Sequence, residues 1–398
     1  MISDFAKALL WILEVGLAGL VGYLLLLTVC ALFAPRHTLP RTGPPDRKFL
    51  ILTPAHDEEK LLPELLDSLA ALDYPRNLIE VHVVADNCTD RTAEIARARG
   101  ATAYERTDPN LRGKGYALNW LLDKLRPRLS APVAQNLAFV ILDADSLVSP
   151  DFLTVMDARL ARGERVIQAY SAVRDPDRSW TVSLRYAALA VLHYLRPQGR
   201  MVLGASAGLK GNGMVFAADI VVQHAWSASL VEDIEYHMAL ILDGERVMFA
   251  PDAVVLAEMP GTLAASQSQN VRWERGRLEM LRAYVPRLLR EAVRRRSFVL
   301  FDAAIEQLIP PTSVLAGASI LAGIAALLLR ARGAAFLAGG LVAGQLVYTL
   351  AGLLLVRAPR RVYLALIYAP ALVAWKIWLY VRVLLGRDRQ GWVRTPRD

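Results

Sequence analysis

The chain has 398 residues, of which 54% are hydrophobic and 21% charged, and a formal net charge of +8. That length exceeds one ordinary domain, and that apolar content excludes a purely soluble enzyme. The two cysteines, Cys30 and Cys88, exclude a disulfide framework or a zinc site and suit a reducing compartment.

Residues 9–34 are almost uninterrupted apolar sequence, with Glu14 the only charge, long enough to span a bilayer. The stretch is too long for a signal peptide and lacks an obvious small-residue cleavage site. Arg36, Arg41, Arg47 and Lys48 follow it, so the positive-inside rule places the next segment in the cytoplasm.

Residues 48–54 read as a strand running into the loop Ala55-His56-Asp57-Glu58-Glu59, and residues 61–72 have helical spacing. The apolar run 80–85 ends in Asp86-Asn87-Cys88-Thr89-Asp90. Thr89 or Asp90 would cap a helix over 91–99, which Gly100 closes. Residues 101–104 are a third strand. Gly113-Lys114-Gly115 then precedes a helix over 116–125. A lysine between glycines in a strand-end loop suits close approach to phosphate, although the Walker spacing is missing. The apolar run 138–142 is closed by Asp143-Ala144-Asp145. Two carboxylates at a strand end offer hard oxygen ligands for Mg²⁺ or Mn²⁺, and such an ion neutralises a diphosphate.

This alternation predicts an α/β domain with a parallel sheet covered by helices on both faces. In such sheets ligands bind beyond the C-terminal strand ends, where each of these polar clusters falls.

Further on, Gly211-Asn212-Gly213 precedes the apolar Met214-Val215-Phe216. Glu232, Asp233 and Glu235 lie in a helix over 230–242, either as an N-terminal charge cluster or with one of them a general base. Gln269-Asn270-Val271-Arg272-Trp273 begins a basic segment over 272–296, whose second half reads as a membrane-surface amphipathic helix. Residues 312–329 and 334–356 are each long enough to cross a bilayer; residues 363–385 are too, but contain Lys376 and Arg382. Basic runs at 287–296 and 357–361 flank the spans, where anionic lipid attracts them. No nucleic-acid motif accompanies the charge, so no nucleic-acid partner is expected.

In order, Asp86, the D-x-D at Asp143/Asp145, Glu232-Asp233 and Gln269-x-x-Arg272-Trp273 resemble the motifs of the membrane-bound family 2 glycosyltransferases. That group contains the cellulose, chitin and hyaluronan synthases and ceramide glucosyltransferase-like enzymes. The terminal residues Trp392 to Arg397 also look like a tail of its bacterial members. The resemblance implies a GT-A-like Rossmann-type domain with N- and C-terminal transmembrane helices and amphipathic interface helices. It divides the chain into a span (1–35), a transferase domain (45–275), an interface segment (276–311) and a membrane region with tail (312–398).

Carried over residue by residue, Ala55, Asp57 and Glu58 belong to the loop that contacts the nucleoside, with Asp57 standing where Asn is usual. Asp86 would recognise uracil and ribose, and Lys114 would lie near the diphosphate. Asp145 would be the direct metal ligand, with Asp143 on the nucleotide side. Asp233 would be the catalytic base, and Gln269, Arg272 and Trp273 a lid over the donor diphosphate. Asn87 replaces the usual glycine and tolerates the same positive φ.

The implied reaction is inverting, metal-dependent transfer from a nucleotide-sugar (UDP-sugar) donor to a polysaccharide or lipid acceptor. A processive synthase and a single-addition glycolipid enzyme are the two versions. A polymer channel would need more helices than this chain supplies, hence a homo-oligomer. A silent membrane scaffold is disfavoured by the intact acidic and basic motif residues. The implied location is the inner (plasma) membrane, multi-pass, with the catalytic domain and the tail cytoplasmic and membrane lipids as partners. Residues 363–385 then either lie in the interface or cross with Lys376 paired to a carboxylate such as Glu14.

Overall fold

The structure is a computed structural model and describes residues 2–34, 43–128, 136–224, 226 and 231–385. The expected flanking Arg36 and Arg41 and the tail around Trp392 lie outside the described residues.

Helix α1 (Ile2–Leu32) precedes strand β1 (Lys48–Ala55), helix α2 (Leu62–Ala70), β2 (Ile79–Asp86), α3 (Thr92–Ala98) and β3 (Thr102–Arg106). Then come α4 (Lys114–Leu125), β4 (Leu137–Ile141), β5 (Ser146–Val148), α5 (Phe152–Leu160) and β6 (Val166–Val173). Helix α6 (Trp180–Ala190) passes through a π-helical turn, Val191–Leu195, into α7 (Arg196–Val202). β7 (Met214–Ala217), α8 (Ala218–Gln223), α9 (Glu232–Leu242) and β8 (Val247–Ala257) follow. The rest is helical: α10 (Gln267–Arg295), α11 (Phe298–Leu308), α12 (Thr312–Leu328), α13 (Arg332–Leu355), α14 (Arg360–Ala365) and α15 (Ala369–Leu384).

The strands form one eight-stranded sheet in the order β3-β2-β1-β4-β7-β6-β8-β5. The first four are parallel, as expected. The second half is mixed, which corrects the expectation of a parallel sheet throughout. β7 runs antiparallel to β4, because the loop before it enters the sheet at the C-terminal end of β4: Gly213 N donates to Ile141 O at 3.0 Å. The same edge therefore collects both the D-x-D turn and the glycine loop.

Alternation along β4 explains why its run is wholly apolar. Ala138 and Val140 enter one core with Phe49, Ile51 and Val83, while Phe139 and Ile141 enter the other with Leu50, Leu52 and Phe216. A central strand buried on both faces has no polar side. Each such Phe, if truncated to Ala, would cost about 3–5 kcal/mol, so the strand end that delivers Asp143 is held rigidly.

Among the described residues, three helical stretches are able by length and composition to cross a membrane: Ser3–Leu32, Arg332–Leu355 and Arg360–Val383. The expected span at 312–329 qualifies only together with α11, from which it bends by 66°. The physical reason is the Pro310-Pro311 pair between them, which lacks backbone donors and breaks the helix. α1 docks on the sheet domain through α7, where a Cβ at Gly199 would overlap the Leu27 carbonyl oxygen. α10 runs unbroken across residues 275 and 276, so the segments expected on either side share one helix.

Candidate active site

The polar ends of the central strands and several of the helices converge on a cavity of about 830 Å³. Ala55, Glu58, Asp86, Lys114, Asp143, Asp145, Asp233, Gln269, Arg272 and Trp273 all line it. Asp57, alone of the expected site residues, does not line it. Its backbone is left-handed (φ 52°), and its Oδ1 accepts from Thr89 N at 2.6 Å. Beside it, Asp90 Oδ2 accepts from Glu59 N at 3.0 Å, and Cys88 Sγ accepts from Asp57 N at 3.3 Å. Asp57, Cys88 and Asp90 bring their ligand-type atoms within 4.8 Å of one another. Their hydrogen bonds make them a clasp between the β1 and β2 loops. Asn87 has φ 53°, as the replacement of glycine requires, and its Oδ1 accepts from Asp108 N at 2.8 Å.

At the end of β2, Asp86 is buried against Arg106, whose Nη1 donates to it at 2.5 Å and to Leu111 O at 2.9 Å. His56 Nδ1 lies 2.7 Å from Asp86 O, which ties the first two strand-end loops together. Asp90 Oδ1 accepts from Thr92 N, the first residue of α3, at 2.9 Å, but the N-cap position itself is Arg91, which makes no side-chain cap bond, so neither Thr89 nor Asp90 is the cap.

Lys114 starts α4. Its ammonium donates to Asp143 Oδ1 at 2.5 Å and to the Gly211 carbonyl. Burial opposes its charge, but Asp143, then Glu232 and Asp233, raise its pKa overall. The D-x-D turn is braced by Asn212, whose Oδ1 accepts from Asp143 N at 3.2 Å and whose Nδ2 donates to Ser146 Oγ at 2.7 Å. Gln168, in the middle of β6, holds that loop: its Nε2 donates to Asn212 O at 2.7 Å and its Oε1 accepts from Lys210 N at 2.8 Å. Asn212 was visible as part of a G-x-G pair before a strand. Gln168 was detectable only as a polar residue inside an apolar strand.

Glu232 and Asp233 open α9, where the helix dipole favours negative charge. Burial nevertheless raises both, Glu232 to about 7, with Asp233 adding to its rise. For Asp233, burial is opposed first by Lys114, and the net direction is upward. Asp233 Oδ2 faces Gly211, where a Cβ would sit 3.3 Å away; Gly211 (φ +80°) leaves room for it.

Gln269, Arg272 and Trp273 lie on the first turns of α10. Arg185 of α6 donates to Gln269 Oε1 at 3.0 Å. Gly276 lets α10 approach the start of α9: a Cβ there would lie 2.6 Å from Val231 Cγ1, next to Glu232. Lys376 of α15 is paired, but with Glu274 at 3.0 Å and Asn270 at 2.6 Å, not with Glu14. This corrects the expected partner. Glu14 sits on α1, fully buried, and its carboxylate oxygens have no hydrogen-bond partner among the described residues. α15 packs instead against α10, so the lysine is neutralised inside the protein rather than in lipid.

Residues 44–276 match the Glycosyltransferase like family 2 domain. The chain belongs to glycosyltransferase family 2. It is 27% identical over 238 residues to a beta-monoglucosyldiacylglycerol synthase of Nostoc sp., covering 57% of this chain and 48% of that relative. It is 24% identical over 265 residues to the probable glycosyltransferase YdaM of Bacillus subtilis, covering 64% of this chain and 61% of that one. The chain thus spans about half to three-fifths of the length of these relatives. Among solved structures, a mannosyltransferase from Pyrobaculum calidifontis in complex with GDP-Man and Mn²⁺ superposes with a TM-score of 0.53 at 19% identity, covering 87% of this chain and 98% of that one. That likeness shows the fold of this family 2 member to be the GT-A-like Rossmann type, here with a mixed sheet.

Proposed function

We propose that this protein transfers a sugar from a UDP-sugar to a membrane-lipid acceptor in a single inverting displacement, giving a β-linkage from an α-linked donor. The observation that carries the reading is the continuity of the cavity. The space lined by Asp86, Lys114 and Asp143 is also lined by Ala316 and Ile320 of α12, Val342 and Leu346 of α13, and Leu372 and Val373 of α15. One end suits a nucleoside diphosphate; the other suits an acyl or polyprenyl chain. The glucosyldiacylglycerol synthase name of a relative points the same way.

In this reading Ala55 and Glu58 meet the nucleoside, Asp86 recognises the base and ribose, and Asp57 shapes their loop from behind. Asp145 and Asp143 would hold Mg²⁺ or Mn²⁺. Both carboxylates line the cavity, and Asp143 already holds a cation, the Lys114 ammonium. This hard-oxygen pair fits such an ion, and when bound it supplies positive charge to the leaving diphosphate. Asp233 accepts the proton of the acceptor hydroxyl. That oxygen forms the new bond to the anomeric carbon as the bond to the diphosphate oxygen breaks, and the nucleoside diphosphate leaves with the electron pair. Arg272 and Lys114 stabilise its charge, and Trp273 frames the acceptor.

The protein would then be a multi-pass protein of the inner membrane with its catalytic domain, 45–275, in the cytoplasm. The test is UDP and GDP release from a panel of nucleotide sugars by the full-length protein in nanodiscs, with and without lipid acceptors, and with product analysis. Lipid-dependent release and a glycolipid product are expected. Extension of a polysaccharide with no lipid glycosylated would overturn the lipid reading.

A further inference from the structure

Beyond Asp233, the cavity wall nearest the membrane helices carries more positive charge than the mechanism uses. Arg196 and Arg200, one helical turn apart on α7, line it with Lys210 and with Glu306 of α11. Arg196 pairs with Glu306 at 2.8 Å, and Arg200 donates to Asp302 at 2.7 Å and 2.5 Å. Two carboxylates thus balance two guanidiniums. The Lys210 ammonium remains over, with no hydrogen bond or ion pair among the described residues.

Arg196 and Arg200 are 6% and 1% exposed; among the described residues Arg196 Nε has no hydrogen-bond partner and Arg200 Nη1 lies 4.0 Å from Glu306 Oε1, so the two guanidiniums act on the wall around Lys210 through their charge. The two histidines on this wall add no charge. Burial, reinforced by the cations, pushes His193 down to about 3 and His237 well below its usual value. Burial also lowers Lys210, to about 8, with Arg196 and Arg200 adding to the fall and Glu306 and Asp233 opposing it. An anion among these groups would stabilise the lysine's charge.

The wall is distinct from the donor side. Lys114 has Asp143, Glu232 and Asp233 as its charged neighbours, whereas Lys210 has Glu306, Arg196, Arg200 and Asp233. Asp233 is common to both, and it stands against Gly211, the residue that follows Lys210 and whose carbonyl holds Lys114. A donor diphosphate at Lys114 and an acceptor hydroxyl at Asp233 therefore leave the Lys210 wall to the acceptor.

We propose that the acceptor is a phosphate-bearing lipid whose phosphate lies on Lys210, beside Arg196 and Arg200, while its hydroxyl nucleophile faces Asp233. The proposal rests on the lipid-glycosyltransferase reading above and narrows it. A phosphate accepts from the Lys210 ammonium in the field of the two arginines, and charge-assisted bonds of this kind are the stronger ones. A neutral acceptor would leave the lysine desolvated and unpaired.

The test compares diacylglycerol and phosphatidylglycerol as acceptors for the full-length protein in nanodiscs, with inorganic phosphate as a competitor. The expected result is transfer to a phosphate lipid at least tenfold faster than to diacylglycerol. Lys210→Met should raise KM for that lipid at least tenfold while UDP affinity, measured by calorimetry, stays within twofold. Lys210→Arg should recover most of the loss, which a folding defect would not allow.

Equal use of diacylglycerol, unchanged by Lys210→Met, would overturn the phosphate site and leave the glycosyltransferase reading standing. A tenfold loss of UDP affinity in Lys210→Met would overturn it by assigning the lysine to the donor. Competition by inorganic phosphate without any preference for phosphate lipids would show a free-anion site and overturn the headgroup assignment. Wild-type protein that turns over no donor with any lipid would sink both readings together.

Discussion

Breaking the Lys376–Glu274 pair tests whether the apolar helix α15 holds the Gln269–Trp273 segment in place. The two side chains are 13% and 5% exposed, and the ammonium has Asn270 as its second acceptor. Removing one partner of a buried pair costs about 3–5 kcal/mol, because the other charge is left uncompensated. The surroundings set where in that range each variant falls. Lys376→Met leaves Glu274 near Arg277, which partly replaces the lost cation, so a loss of about 3 kcal/mol is expected. Glu274→Gln leaves the ammonium facing the guanidiniums of Arg185 and Arg277, so about 5 kcal/mol is expected.

In the double variant neither charge is stranded. Its loss should be smaller than that of either single variant, with a coupling of about 3 kcal/mol. The assay is thermal unfolding of the four purified proteins in one detergent, together with KM for the nucleotide sugar. Glu274 follows Trp273 in the same helix, so KM should rise in the single variants and fall back in the double. Single variants within about 0.5 kcal/mol of wild type, or a double variant that loses the full sum, would refute the reasoning.

Asp233→Asn should cut sugar transfer by about 10²–10⁴-fold, the usual worth of a general base, while UDP binding by calorimetry persists; near-normal turnover would move the role to Glu232 or Glu235. Excess EDTA should abolish transfer and added Mn²⁺ or Mg²⁺ restore it, through Asp143 and Asp145; full activity in EDTA would sink the metal assignment. Burial raises Asp233, and the base acts only when deprotonated. Turnover should therefore fall with falling pH along a limb lying above the range of exposed carboxylates, about 4. Lys114 is the group that most opposes this rise, so residual activity of Lys114→Met should show the limb at higher pH; a limb at about 4 in both proteins would contradict the buried base.

Much of the site was legible because strand ends are written locally. The apolar run 138–142 followed by two aspartates needs no partner to be read as a buried strand delivering carboxylates to an edge. Asp86, Asp143 and Asp145 each sit at such an end, and all line the cavity. Asp57 was read from the same kind of pattern, but its side chain turns to the neighbouring loop. Which way a loop carboxylate points depends on the amides that face it, here Thr89 N, from a different strand end. Gln168 illustrates the opposite failure. Its hydrogen bonds reach Lys210 and Asn212, more than forty residues away, and nothing in its own neighbourhood announces them.

The sequence by itself determined the α/β class, the order of the motifs and the apolar stretches at both ends, because periodicity and composition are properties of short segments. Only the tertiary structure decided the mixed half of the sheet, the bend between Phe298–Leu308 and Thr312–Leu328, and the pairing of Lys376 with Glu274. Strand direction, helix docking and the partner of a buried charge are set by which distant segments reach the same place. The Lys210 wall belongs to this second group. Arg196, Lys210 and Glu306 are far apart in the chain, and their common cavity exists only once the membrane helices have packed against the sheet domain.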